Sequence, residues 1–295
     1  MSTSGASVSM TSRADRLSGL LDLGACVGLQ RAILGDHARS VWTVPALTAV
    51  AQSGGLVLGA RDVAKGVSSL CGALVDLVAD VDGYPAHHTV FHGVLPSARS
   101  RGIGCSLRAT ERAICQQQGV DLVFWNLDPL RSDEAYLAYN KLGAVATGHH
   151  RDLFGEVHDA ANLGLATDRL RIEWWVDSPR VVSILDGGKP APHLRVGIHK
   201  MHVLTETKLL RTGVRVLVGY DDDPQAEHVL AEIPADLDRT RAADPKAARA
   251  WRLQSRHVFE RLFEKSYVGT GFVHEGGRSF HLFRKADRRA ALRDT

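Results

Sequence analysis

The sequence predicts a mixed α/β (α+β) protein: a body in which helices and strands alternate, followed by an α/β extension running to the C-terminus. Three observations predict it. A strand (87–96), a short glycine-containing turn, an amphipathic helix from Ile103 and a buried apolar strand (120–127) follow in the order of a βαβ unit. Ahead of them, LVLGA (56–60) and VSSLCGALVDLVA (67–79) flank a polar turn at 62–66, as in an antiparallel hairpin. Beyond Asp177-Ser178-Pro179 the texture loosens, and DGGKPAP (186–192) has the composition of a boundary loop. The expected division is a leader over 1–13, a core over 14–184 and an extension over 185–295.

The leader MSTSGASVSMTSRAD is Ser/Thr-rich and lacks the basic start and apolar block of a signal peptide, so it reads as disordered. Arg16 to Leu34 carries Leu20, Leu23, Val27 and Ile33 or Leu34 at helical spacing, with Gly35-Asp36 as the stop. Val44 to Gln52 is a second helix, opened by Pro45 and broken by Gly54-Gly55. Asp82-Gly83-Tyr84-Pro85 makes a turn into the strand 87–96. Ile103, Leu107, Thr110 and Ile114 share one face of the next helix, which Gly119 ends. Ser132 to Lys141 is helical and stops at Gly143; strands follow at 144–149 and 171–176. In the extension VRVLVGY (214–220) and HVLAEIP (228–234) read as strands. Asp244-Pro245 caps a helix striped by Ala247, Trp251, Val258, Leu262 and Phe263, and YVGTGFV with SFHLF closes as a hairpin.

Composition excludes more than it identifies. The 295 residues are 44% hydrophobic and 23% charged, enough apolar material for a substantial core. Lys+Arg 36 against Asp+Glu 33 gives a net charge of only +3, which argues against a nucleic-acid or membrane surface. No apolar run approaches the roughly 20 residues of a membrane helix. The four cysteines contain no CxxC pair, so a reduced cytoplasm is expected and no metal centre. The 14 histidines remain open to several uses.

The chemistry concentrates in Val94-Leu95-Pro96-Ser97-Ala98-Arg99-Ser100-Arg101-Gly102-Ile103-Gly104. A strand delivers the chain into a turn where Gly102 and Gly104 remove side-chain bulk, so amides at a helix N-terminus can approach an anion. Arg99 and Arg101 add positive charge. The segment is neither a Walker A loop nor a GxGxxG turn.

Val94, Pro96, Arg99, Gly102 and Gly104 match V-x-P-x-x-[RQ]-x-x-G-x-[GA], and the segment resembles motif A of the GNAT acyltransferase superfamily. Downstream, Ser132-x-x-Ala135-x-x-x-Tyr139-x-Lys141-x-Gly143 resembles that superfamily's N-x-x-A-x-x-x-Y-x-K-x-G-F helix, with Ser132 in place of Asn and Ala144 in place of Phe. FWNLDPLRSDEAYLAYNKLGA, LFGEVHDAANLGLATDRLRIEWWVDSPRV and AEIPADLDRTRAADPKAARAWRLQSRHVF are similar to a GNAT subgroup of predicted acetyltransferases with a C-terminal extension, so the resemblance covers nearly the whole chain.

The resemblance implies a mostly antiparallel, twisted sheet flanked by helices, with acetyl-CoA or another acyl-CoA as cosubstrate. The backbone at Val94 would pair with the pantetheine. Arg99, Ser100, Arg101, Gly102, Ile103 and Gly104 would hold the pyrophosphate, with Ser132 a further cofactor contact. Tyr139 falls where many members place the acid toward the CoA sulfur, or is a packing tyrosine. Alternation puts His88, Val90, His92 and Val94 on one strand face. His88 stands six residues before Val94, where histone-acetylating members carry a catalytic glutamate, and is the candidate base or a satisfied rim histidine. His92 is the weaker neighbour.

Other residues receive a blander reading. His149, His150 and His158 are expected on exposed loops. Asp128, with Glu156 and Asp159, either holds an acceptor's cationic group or caps turns. Trp125, Trp174 and Trp175 belong to the core, and Thr167-Asp168-Arg169 has no assigned role. The expected activity is acetyl transfer to the amine of a small molecule. The alternatives are a non-catalytic acyl-CoA sensor, or other thioester chemistry such as O-acyl transfer, carrier-protein acylation or decarboxylation. The extension is expected to complete the acceptor pocket or to form a homodimer interface.

Overall fold

The computed structural model describes residues 12–36, 38–62, 69–191 and 201–293. Most of the expected leader, the turn at 63–66 and Pro192 lie outside the described residues. The chain forms two compact units, Met1–Val120 and Asp121–Thr295.

In the first unit β1 (Ser12–Arg16), β2 (Leu56–Asp62), β3 (Leu70–Val81) and β4 (Tyr84–Val94) make an antiparallel meander. Ser12 and Arg13 thus lie in a strand, not in the leader, and the helix expected from Arg16 starts later. α1 spans Leu20–Leu34 and buries Leu23, Cys26, Leu29 and Gln30, leaving Leu20 exposed. A strand ending at Arg16 was hidden because five polar or small residues carry no alternation. α2 (Val44–Gln52) is capped by Thr43, whose hydroxyl accepts from the Ala46 amide, worth about 1 kcal/mol.

α1 and α2 cover one sheet face over Val57, Ala73, Val75 and Phe91. α3 (Ile103–Gln118) covers the other over Leu56, Leu58, Ala60 and Leu74. Asp82 and Gly83 both have positive φ and close the β3–β4 hairpin in two residues.

In the second unit the strand order is β5 (Leu122–Leu127), β7 (Arg169–Trp175), β6 (Val145–His150), β12 (Tyr267–Glu275), β13 (Arg278–Lys285), β11 (His228–Ile233) and β8 (His202–Val203). All neighbours run antiparallel except β11 with β8. β9 (Thr205–Leu209) and β10 (Arg215–Tyr220) form a separate hairpin. Compactness divides the chain after Val120, and β12, which lies in the expected extension over 185–295, pairs with β6 through Gly269 and Ala146.

α4 (Ser132–Ala135) continues as a π-helical turn, Tyr136–Lys141, which Gly143 at φ 73° terminates. Asn140 within that turn exchanges two hydrogen bonds with the Phe272 backbone of β12, at 2.9 and 3.1 Å. The loosened texture at 179–185 is in fact α5 (Pro179–Leu185), capped by Ser178. α6 (Leu237–Ala243) precedes α7 (Pro245–Glu264), whose cap Asp244 accepts from the Lys246 and Ala247 amides at 3.0 Å; α8 (Arg288–Leu292) ends the unit. Trp174 is fully buried and Trp251 nearly so. All four cysteines are free, and among the described residues no helix is long and apolar enough to cross a membrane.

Candidate functional site

The turn from β4 into α3 has the geometry of an anion cradle. Pro96–Ala98 is a short 3-10 turn, after which Ser100 at φ 60° and Gly102 at φ 78° both adopt left-handed backbone. For Ser100 that conformation costs about 1–2 kcal/mol. Gly102 is the N-cap of α3, and no side chain caps the helix. The first intrahelical bond runs from the Ser106 amide to the Gly102 carbonyl at 2.9 Å, so the Ile103 and Gly104 amides have no intrahelical acceptor. A Cβ on Gly102 would meet nothing within 4 Å, which leaves open space beside these amides. Sixteen residues of helix dipole add positive potential there. A diphosphate fits that donor set.

The two arginines separate. Arg99 is exposed, its guanidinium only at the limit of contact with the Val94 carbonyl, 3.5 Å away. Arg101 instead clasps the buried carboxylate of Asp62 at 2.9 and 3.1 Å. Its charge is met within the fold, and it ties the turn to the end of β2. Nothing in the sequence couples these residues, 39 positions apart, so the role of Asp62 was not legible there.

The β4 register corrects the expected histidine face. Val75 pairs with Phe91 but Asp76 pairs with Thr89, so Val90 is an extra residue and β4 carries a bulge. The bulge reverses the alternation. His92 and Val94, opposite Leu74 and Gly72, face α3, together with Thr89 and His87. His88, opposite Leu77, faces the α1–α2 side and is half-buried. Burial, and next the Arg108 guanidinium, push His92 down to about 3 against a smaller upward pull from the Gly104 backbone. His92 is therefore neutral near pH 7 and takes up no proton there.

In the second unit, Tyr139 is fully buried. Its hydroxyl would stand 3.0 Å from a Cβ on Gly269, and its ring meets His281 of β13 edge-on at 5.7 Å. The hydroxyl thus lies over β12 and β13, with β7 and β6 separating β12 from β5 in the sheet. Its oxygen has no hydrogen-bond partner among the described residues, and burial holds the phenol well above its ordinary pKa. The burial that keeps the proton on Tyr139 also seals it from solvent.

Ser132 donates its hydroxyl to the Pro234 carbonyl at 2.9 Å, which occupies the contact expected to serve a cofactor. Asp128 is buried against Arg252 at 2.7 Å and accepts from the Leu130 amide at 2.9 Å. Burial alone would raise its pKa, but Arg252, Arg169 and the Leu130 amide outweigh burial and hold the carboxyl low. The cation it holds is the chain's own, so of the two expected uses of Asp128 the acceptor contact is taken and the turn cap, through the Leu130 amide, is the one found.

His149 is not on an exposed loop. Its side chain is buried at β6 between Asp168 and Glu260, each 3.6 Å from a ring nitrogen, and it stacks on Phe259. His158 is exposed, as expected. Thr167-Asp168-Arg169 acquires a role as a loop fastener: Asp168 takes Arg256 through both oxygens, and Thr167 ties Asp152 and Phe154. No group of three His, Cys, Asp or Glu suited to a metal occurs among the described residues.

No family model matches the chain, and no curated protein does. Solved structures similar to it over about 56% of its length are acetyltransferases, among them members of the GNAT family. One is the ribosomal-protein-S18-alanine N-acetyltransferase from Escherichia coli, 13% identical, covering 56% of this chain and 94% of that one at TM-score 0.41. Another is yncA from Salmonella typhimurium, solved with its cofactor acetyl-CoA, 14% identical, covering 57% and 95% at TM-score 0.44. A GNAT-family acetyltransferase from Staphylococcus aureus Mu50 is 13% identical, covering 56% and 99% at TM-score 0.40.

Proposed function

We propose that the protein is a GNAT-type, acyl-CoA-dependent N-acyltransferase that moves acetyl from acetyl-CoA to the amine of a small molecule. The observation that carries the reading is the uncapped start of α3, where left-handed Ser100 and Gly102 present the Ile103 and Gly104 amides beside open space. These amides, with exposed Arg99, would hold the pyrophosphate. His88 is the proposed base: it lies six residues before Val94 on the same strand, on the sheet face opposite His92. An attacking alkyl amine must lose a proton, and imidazole is the side chain suited to accept it at neutral pH.

Tyr139 is assigned to packing. Enclosed between the π-helical turn and β12, it leaves water to protonate the departing thiolate. Free cysteines and a near-balanced charge favour a cytoplasmic enzyme with a small acceptor.

One observation favours a second reading. With Tyr139 sealed and His92 neutral, two of the expected polar groups drop out of the chemistry, as in a protein that binds acyl-CoA without turnover. A panel of amines with acetyl-CoA, read by thiol release, decides between them. Thiol release with one amine establishes the enzyme; binding without release establishes the sensor. Unaltered CoA affinity in both Arg99→Glu and Gly102→Glu would overturn the cradle in either case.

A further inference from the structure

Arg108, Glu111 and Cys115 follow one another at helical spacing on the face of α3 turned toward the sheet, and all three are buried. They meet the sheet at the β4 bulge. Thr89, beside the unpaired Val90, donates its hydroxyl to Glu111 at 3.2 Å and accepts from Arg108 at 2.9 Å. Arg108 spans both oxygens of Glu111, at 2.9 and 2.8 Å. Asp76, directly opposite Thr89, is fully buried; among the described residues neither of its oxygens has a donor in full hydrogen-bond geometry, and the groups that reach toward it are the Glu111 carboxyl and the Thr89 hydroxyl.

Two acids and one guanidinium balance when the carboxyls hold one proton between them. That proton also gives Asp76 a hydrogen-bonding partner in Glu111. His87, 3.6 Å from Asp76, is kept toward its neutral form, chiefly by burial. Apolar residues would fill this space with less desolvation cost. The cluster's position supplies the reason for polar ones. A regular ladder would turn His88 to the α3 face, because a one-residue slip exchanges the faces of a strand. Val90 and Phe91 both pack into the α1–α2 cluster, and apolar packing alone does not select the bulged register at Thr89. Hydrogen bonds to the Thr89 hydroxyl do, since they need that side chain on the α3 face.

We propose that Thr89, Arg108, Glu111 and Asp76 form a positioning network that locks the β4 bulge and thereby keeps His88 on the α1–α2 face, where it serves as base. The catalytic part of this inference rests on the acyltransfer reading. The register part does not.

The test compares Thr89→Val, which keeps shape and removes the hydroxyl, with Thr89→Ser, which restores it, in the full chain. In Thr89→Val we expect altered imidazole resonances for His88 in histidine-labelled NMR spectra. We also expect an acetyl-CoA KM within about twofold of wild type and a kcat lowered about tenfold or more, the split left by a misdirected base. Thr89→Ser returns both. Unchanged His88 resonances in Thr89→Val, or a serine variant as impaired as the valine one, overturn the network. If the valine variant does not fold, the serine variant still decides, since only retained His88 resonances and kcat are compatible with the network. A wild-type protein that transfers acetyl to no amine overturns the proposed function instead, while the NMR comparison still decides the register.

Discussion

Each unit has a cluster of buried acidic side chains set among arginines, and these two clusters solve the problem in opposite ways. In the first, Asp76 and Glu111 have the single guanidinium of Arg108 between them; burial raises both carboxyl pKa values, and the Asp76–Glu111 hydrogen bond with Arg108 at Asp76, and Arg108 at Glu111, only partly offset it. In the second, Asp128 has Arg252 with Arg169 close by, and Asp168 has Arg256; burial again pushes upward, but the cations and hydrogen bonds prevail and both carboxyls lie low. Burial is common to both. Charge stoichiometry decides the sign. An acid-rich cluster stores a proton, whereas an arginine-rich one stores a negative charge and acts as a fastener.

The contrast is broken most directly in the second unit. Asp128→Asn leaves Arg252 and Arg169 buried without their carboxylate, and should lower stability by about 3–5 kcal/mol in urea unfolding. A loss below about 1 kcal/mol, the size of an ordinary surface pair, would mean that the fastener is solvated.

The next effect tests the turn of the first unit. Gly102→Glu forces a left-handed backbone on a side chain, at about 1–2 kcal/mol, and sets a carboxylate beside the amides. Acetyl-CoA affinity measured by calorimetry should fall by roughly two orders of magnitude, about 2.7 kcal/mol. An equal affinity would remove the cradle.

Smaller, and diagnostic in sign, is the pH dependence. A carboxyl whose pKa is raised by folding holds its proton more tightly in the fold. The contribution of Asp76 and Glu111 to stability is therefore full below the unfolded value of about 4 and declines as pH rises toward the folded one. Asp128 and Asp168, lowered by folding, contribute above about 4 and lose that contribution as pH falls through their folded values. Asp76→Asn should flatten the alkaline decline and leave the acid limb intact. Urea unfolding across the pH range reads the change, at about 1.4 kcal/mol for each tenfold difference in proton affinity between the folded and unfolded chain. A changed acid limb with an unchanged alkaline one would reverse the assignment.

The smallest effect belongs to Tyr139→Phe. Its hydroxyl has no partner among the described residues, so its removal should change kcat less than twofold and stability by at most about 1 kcal/mol. A kcat lowered tenfold or more would return Tyr139 to the chemistry.

Much of the scaffold was legible in the amino-acid sequence because local signals set it. Pro45, Asp244 with Pro245, Gly119 and Gly143 mark helix ends by capping and backbone freedom, and these helix ends stand where those residues place them. The V-x-P-x-x-R-x-x-G-x-G turn was legible for the same reason: left-handed Gly102 and an uncapped helix start are properties of a few consecutive residues. What only the tertiary structure decided concerns pairs distant in sequence. Strict alternation put His88 and His92 on one face, and the bulge at Val90 parted them. Arg101 read as a charge for the cofactor loop, and Asp128 as an acceptor contact or a turn cap, until Asp62 and Arg252 were found against them. Tyr139 matched a motif, yet β12, far along the chain, closed over it. The physical reason is common to these cases. Capping and turn energies depend on neighbours in the chain, whereas register, ion pairing and solvent access depend on which distant backbone arrives alongside.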